Sequence, residues 1–340
     1  MSLALRIFFT LICTGTVLFL DVLIFRGLCH QFESGSYPAV TGRITGSEIR
    51  THHTSKGGTT YSPYISYTYQ VGRQLFNGDR LRYTVGFYSS SYASAERVVA
   101  SHPPGSIQTI FYNPRNPWDS LLGAGLIGQD FIGLLFSTPF NMLMIGLWAS
   151  VGDWLRERWF KPLAGGVKIV DEGSQVRIRL PQTNMLRWGL GTTGALGLIS
   201  AFLIPGLKPD ASVGLVVTAI GVVWLAGVAV YGFLRLKAQS GVYDLVIDEP
   251  GRTLSLPPTY GRDERLTVDV AGVKTIRVEK VEHRGSRGGI TYTYAPTLFL
   301  PQTGNGDQKI ADWPDKLKAD DFSQWLSEKL GVPVDLQPED

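Results

Sequence analysis

The chain reads as an α+β membrane protein, with four transmembrane helices, a small mostly antiparallel β-domain outside and a β-rich domain with a C-terminal helix inside. Three observations predict this. Four apolar stretches are each long enough to cross a bilayer, which takes about 20 residues at a rise of about 1.5 Å each. Two polar stretches, residues 27–125 and 237–340, are long enough for small domains with their own cores. Within both, runs of β-branched and aromatic residues alternate in size and are bounded by glycine, proline and asparagine turns.

The first span, residues 4–26, is an uncleaved anchor, because its apolar run through Phe25 is long for a signal peptide and no small-x-small site follows. Residues 126–151, 186–206 and 211–235 are the other three spans. A mean hydropathy of only +0.05 averages these spans against the polar stretches. The net charge of +3, with basic residues spread among acidic ones, argues against a nucleic-acid partner. Cys13 and Cys29 are too few and too poorly placed for a disulfide framework or a thiolate metal site.

Orientation follows from arginine and lysine, because positively charged short loops resist translocation. The connection between spans two and three carries Arg156, Arg158, Lys161, Lys168, Arg177, Arg179 and Arg187, and Arg235 with Lys237 close the fourth span. The opposite turn, Pro205 to Asp210, offers only Lys208. Both termini are therefore expected in the cytoplasm and residues 27–125 outside. Trp148, Trp154, Trp159 and Trp188 fall at the inner boundary, where indole rings prefer the headgroup layer.

In the outer stretch, Tyr64 to Val71 reads as a strand, Gly72-Arg73 turns the chain, and Gln74-Leu75-Phe76 starts a partner that ends at Asn77-Gly78-Asp79. Ser91 to His102 reads as a short helix stopped by Pro103-Pro104-Gly105, and Ile107 to Tyr112 as the last strand. Asn113-Pro114-Arg115-Asn116-Pro117 then sets the turns that lead back to the membrane. Tyr64, Tyr67 and Tyr69 are a candidate ligand face for a peptide or glycan; the alternative is half-buried strand packing.

Gly42-Arg43-Ile44 with Ser47, Tyr61 to Val71 with its Tyr-x-Tyr core, Gly72, Phe76-Asn77-Gly78, the helix from Ser91, Pro104-Gly105 and Tyr112 to Pro117 form an ordered series. Over residues 38–123 this series closely resembles the bacterial domain of unknown function 3592 family. The resemblance implies a bacterial inner membrane and a domain held between the first and second spans. It implies no activity.

The cytoplasmic loop, residues 152–185, contains a hairpin from Ile169-Val170-Asp171-Glu172-Gly173 through Leu180-Pro181. Val246-Ile247-Asp248-Glu249-Pro250-Gly251 through Leu256-Pro257 echoes it. Residues 241–334 continue with strand-like runs Thr267–Val270, Val273–Glu279, Ile290–Tyr294 and Thr297–Leu300 and a helix from Asp320 to Leu330. This element order resembles a bacterial pleckstrin-homology-like domain, into which spans three and four would be inserted if the first hairpin belongs to it.

Asp21 and Asp130 form a candidate intramembrane polar site, about six residues from the outer ends of spans one and two, with Gln129 and Asn141 as further polar lining. Acids at such depth mark functional sites by default, yet their side chains also reach headgroups or Arg26. Gly189, Thr193, Gly197 and Ala201 recur every four residues as a helix-packing stripe, whose expected partner is the fourth span. Pro139 is expected to kink span two, with Ser137 and Thr138 nearby. His52 and His53 read as a solvated loop rather than a metal pair, and Lys280, His283, Arg284 and Arg287 as a basic turn. Leu300-Pro301-Gln302-Thr303-Gly304 spells a sortase signal but lacks the following anchor and is read as coincidence. There is no zinc helix, nucleophile elbow or phosphate-cradling glycine loop, so no enzyme, cofactor or metal is expected.

The chain is thus expected to act by binding at the bilayer. It would sense, scaffold or regulate a protein partner in the membrane or envelope, including as an immunity-type protein that blocks a toxic one. The rival reading is an ion-coupled transporter component that uses Asp21 and Asp130.

Overall fold

Large apolar side chains stay on the outside of four long helices: Phe19 is 65% exposed and Leu225 68% exposed. In water such a surface would drive association, whereas in hydrocarbon it is the favoured one. All four helices are long and apolar enough to cross a membrane. The computed structural model describes residues 3–53, 59–84, 92–159, 164–180, 184–208, 210–284, 289–301 and 306–335. Ser91, Lys161, Pro181, Arg287 and Gln302-Thr303-Gly304, named above, lie outside the described residues. Two units emerge, Met1–Trp148 with Gly189–Val228, and Ala149–Trp188 with Ala229–Asp340.

The first unit begins with helix α1, Leu3–Glu33. Then come β1 (Ala39–His53), β2 (Thr59–Val71), β3 (Gln74–Gly78), α2 (Tyr92–Ala100), β4 (Ile107–Asn113) and β5 (Asn116–Leu121). The strands form one antiparallel sheet in the order β3-β2-β1-β4-β5. Its two edges approach each other, with the Phe76 ring of β3 meeting Trp118 of β5 edge-on at 5.0 Å between centroids. Ile44, Ile65, Tyr67, Tyr69, Phe76 and Ile110 fill the core between them.

Three expectations are corrected here. The strand at Ile107 is not the last, because Asn113-Pro114-Arg115-Asn116 is the turn of a hairpin and β5 follows it. The Asn113 side-chain oxygen accepts from the Arg115 N–H at 3.0 Å, which makes the segment a tight turn rather than an exit toward the membrane. Pro117 is tolerated in β5 because that strand lies at the sheet edge. His52 and His53 are exposed residues of β1 rather than of a loop, paired with Thr60 and Thr59 across the ladder.

The unit is completed by parts of helices α3 (Ile132–Trp159), α4 (Met185–Leu207) and α5 (Val213–Gln239). The α3 helix runs on through Pro139, and Thr138 returns its hydroxyl to the Leu134 carbonyl at 2.8 Å. Ile132, Leu135, Ala201, Ala211, Val216 and Val223 form the core shared by these helices.

In the second unit, β6 (Lys168–Asp171), β7 (Gln175–Arg179), β8 (Asp244–Asp248), β9 (Thr253–Leu256) and β10 (Leu266–Asp269) form an antiparallel sheet in the order β10-β9-β8-β7-β6. The hairpin of the 152–185 loop therefore pairs directly with the echoing hairpin, β7 against β8. A second sheet holds β11 (Thr275–Arg284), β12 (Ile290–Phe299), β13 (Gln308–Lys309) and β14 (Val334–Asp335). One strand, β12, takes the place of the two runs expected at Ile290–Tyr294 and Thr297–Leu300, since Pro296 keeps its ladder position opposite Val278. Helix α6, Lys316–Leu330, opens earlier than its apolar stripe suggests, because Asp315 caps it by accepting from the Leu317 N–H. Phe322, Leu326 and Leu330 of α6 join a single core with residues from both sheets.

Candidate functional site

Asp130 sits in a 3-10 turn, Gly128–Phe131, immediately before α3, and its side chain is 1% exposed. Four donors converge on it. Arg82 reaches Oδ1 through Nε at 3.1 Å and Oδ2 through Nη2 at 2.8 Å, a two-point grip that fits a planar carboxylate. The Thr84 hydroxyl donates to Oδ1 at 2.5 Å, and the Ile127 backbone N–H to Oδ2 at 2.7 Å. With two donors on each oxygen, the carboxylate is satisfied without water.

The same joint continues into the end of α1. Gln31, fully buried, donates to the carbonyls of Gly123 at 2.7 Å and Gly125 at 2.8 Å, while its own oxygen accepts from the Tyr83 N–H at 2.8 Å. Buried Ser34 accepts from the Gly125 N–H at 3.0 Å. Arg82 also donates to the Gly125 carbonyl. Thus the last turn of α1, the segment after β3, the segment after β5 and the first turn before α3 are held in one polar network. Burial and the hydrogen bond from Tyr83 to Asp119, at 2.7 Å, both push the Tyr83 phenol upward, so it stays protonated.

Asp21 lies elsewhere, within α1, and is half-buried. Asn141 of α3 donates to it from Nδ2 at 3.1 Å and also reaches its own helix at the Ser137 carbonyl, 3.3 Å away. The two aspartates therefore have separate partner sets. The structure does not bring them together as a carboxylate pair, because Asp130 precedes α3 while Asp21 bonds to Asn141 in the third turn of that helix.

The small-residue stripe is buried as a whole, but it serves two neighbours rather than the fourth span alone. Gly189 and Thr193 face α5 at Gly227, where an added Cβ would overlap Thr193 Oγ1 and lie 2.9 Å from the Gly189 carbonyl oxygen. Gly197 faces α3 instead. A Cβ there would come within 2.9 Å of Thr138 and 3.3 Å of the Leu135 carbonyl oxygen, the acceptor that Pro139 leaves without its helical donor. Ala201 belongs to the shared core with Ile132 and Leu135.

The tyrosines do not make one ligand face. Tyr67 and Tyr69 point into the β-domain core at 1% and 2% exposure. Their hydroxyls donate to the carbonyls of Arg80, at 3.0 Å, and Pro117. Burial raises both phenols above their ordinary value. Tyr64, an odd number of residues away, lies on the opposite face of β2 under the Arg50 guanidinium, 3.3 Å from ring centroid to Cζ. Two glycines of the motif series have steric reasons. A Cβ at Gly42 would overlap Ile110 and approach the Thr68 carbonyl at 2.7 Å, and one at Gly78 would press on Tyr67 at 2.5 Å and Ser120 at 2.6 Å.

Gln31, Arg82 and Thr84 are not marked by any sequence pattern. Their role depends on a spatial meeting of segments about 50 and 90 residues apart. The nearest sequence signal is a carboxylate at a helix start, Asp130, which by itself reads as a capping or interfacial residue.

The family model described as Domain of unknown function (DUF3592) matches residues 40–127, about a quarter of the chain. This bears out the resemblance read over residues 38–123. No curated protein and no solved structure matches the chain.

Proposed function

We propose that this chain is a multi-pass protein of a bacterial inner membrane and that it acts by binding, with the β-domain of residues 38–123 outside the cell membrane and both termini in the cytoplasm. One observation carries the binding reading: the Asp130–Arg82–Thr84 cage and the Gln31 network weld that domain to α1 and to the start of α3. A domain seated this firmly presents a fixed surface to a partner and passes load on it to two helices. An ion relay asks instead for a carboxylate that exchanges its partners, and Asp130 has every acceptor position engaged. The placement of arginine and lysine at one set of helix ends supports the orientation. The partner is a protein of the membrane or envelope that the outer domain senses, scaffolds or regulates.

The test is photo-crosslinking in native membranes from Ile107, Leu75 and Trp118, three β-domain side chains exposed at 66%, 65% and 62%. A discrete adduct that recurs from neighbouring positions supports a binding surface. Absence of any adduct, combined with loss of phenotype in Asp21→Asn with Asp130→Asn, would move the reading to ion coupling. Orientation is checked separately by an impermeant maleimide in intact cells, which should label exposed Cys29 and leave a cysteine placed at Glu328 unmodified.

A further inference from the structure

The ends of α3, α4 and α5 that lie in the second unit border a cavity of about 770 Å³. Arg156 of α3, Arg179 of β7 and Arg235 of α5 line it together with Tyr231, Leu186 and one acidic residue, Asp153. Three guanidiniums thus meet one carboxylate, and that carboxylate offsets little. Asp153 lies 3.6 Å from Arg156 in a pair whose members are 56% and 74% exposed, where water screens most of the attraction.

The other two arginines have no acceptor. Among the described residues neither the Arg179 nor the Arg235 side chain makes a hydrogen bond or an ion pair, and Nε of Arg179 is a buried donor with no partner. Asp244 acts on Arg179 through space without pairing with it. A buried donor left open calls for a ligand, and a planar guanidinium is best matched by a carboxylate or phosphate. Leu186 continues the wall onto α4, and two residues further along that helix Trp188 is 58% exposed, as suits the headgroup layer.

We infer that this cavity binds a phosphate group, held by Arg179 and Arg235 with Arg156 at its rim, and that the phosphate belongs to the headgroup of an anionic phospholipid. The site is distinct from the outer domain and does not depend on the partner reading above. The lipid source follows from the wall itself, which sets Leu180, Met185 and Leu186 beside the guanidiniums, at the ends of helices long enough to cross a membrane.

The experiment uses the full-length protein in nanodiscs of phosphatidylcholine alone or with phosphatidylglycerol, and native mass spectrometry to count lipids retained on release. Wild type should keep phosphatidylglycerol in preference to phosphatidylcholine, and Arg179→Gln with Arg235→Gln should weaken that retention about tenfold, the usual size of one lost charge-assisted contact. Lys280→Gln with Arg284→Gln removes the same charge from the β11–β12 hairpin and should change nothing. If Arg179→Gln fails to fold, Arg235→Gln alone, at an exposed position, carries the same comparison. A second arm adds inorganic phosphate to the phosphatidylcholine sample. Thermal protection there, lost in the arginine variants, would keep the phosphate site and assign it to a free anion. Equal retention in wild type and the arginine variants, or loss in the hairpin variant instead, would overturn the inference.

Discussion

Asp21 of α1 accepts a hydrogen bond from Asn141 of α3 at 3.1 Å, and seven residues away on each helix Thr14 accepts from Trp148 Nε1 at 2.9 Å. The residue numbers of both pairs rise on one helix as they fall on the other, so the two contacts mark a single antiparallel seam two turns long. Polar bonds of this kind between apolar helices are modest in strength and specific in register, because each needs its donor and acceptor side by side.

The seam sets the first prediction. In Asp21→Asn the oxygen that accepts from Asn141 is retained, so thermal unfolding in detergent should shift by less than about 1 kcal/mol equivalent, the range measured for interhelical hydrogen bonds. Asn141→Leu, which removes the donor, should cost no more than this either. A loss of several kcal/mol in Asp21→Asn would mean that the charge itself does structural work in the seam.

Asp130→Asn should behave differently. Each carboxylate oxygen accepts one Arg82 N–H, so an amide turned either way sets its own NH₂ against an arginine donor. Leaving the Arg82 charge half-paired at 20% exposure should cost about 2–3 kcal/mol. Hydrogen exchange should quicken at Thr84 and Ile127, next to the lost acceptors, while the β1–β2 ladder stays protected.

Space rather than polarity decides the third prediction. In Gly227→Ala the new Cβ would overlap Thr193 Oγ1 and press on the Gly189 backbone, so α4 and α5 must separate, at a cost of about 1–3 kcal/mol. Gly221→Ala, on the same helix, meets nothing within 4 Å and should leave stability unchanged or slightly raised. Equal effects of the two on thermal unfolding would show that the close approach at Gly227 is not maintained in the membrane.

How far the sequence discloses this structure depends on the range of the interaction. The four long helices are legible because uninterrupted apolar length is a local property, and so are the Tyr64 to Val71 strand and the Asp-Glu hairpins. The family series is legible for a related reason, since Gly42 and Gly78 are fixed by neighbours that would collide with any side chain. The strand β5 is hidden by Pro114 before it and Pro117 within it, which signal a turn whether or not pairing resumes. The faces of Tyr64 and Tyr67 follow from strand alternation, and the inward one is marked by Ile65 and Val71 on the side of Tyr67 and Tyr69, against Ser62, Ser66 and Gln70 on the side of Tyr64. Least legible is the cage around Asp130, since nothing in the residues near Arg82 points to a carboxylate 48 positions away.

The last prediction concerns Asp244, at the start of β8 in the second unit. The residue is 3% exposed, and its buried Oδ1 has no hydrogen-bond partner. Burial raises its pKa above the ordinary carboxylate value, and the nearby charges of Arg179, Arg177 and Arg265 only partly oppose this. The folded state therefore holds this proton to a higher pH than the unfolded state does. It follows that ionising Asp244 costs folding free energy, a cost absent below the unfolded pKa and complete once pH has risen through the folded one. Asp244→Asn should accordingly raise the unfolding temperature relative to wild type near neutral pH, with the advantage shrinking as pH falls through the raised pKa. Unfolding scans of the two proteins between neutral and mildly acidic pH check this. Should the asparagine variant be less stable at neutral pH, the three arginines would outweigh burial, and the carboxylate would be holding their mutual repulsion in check.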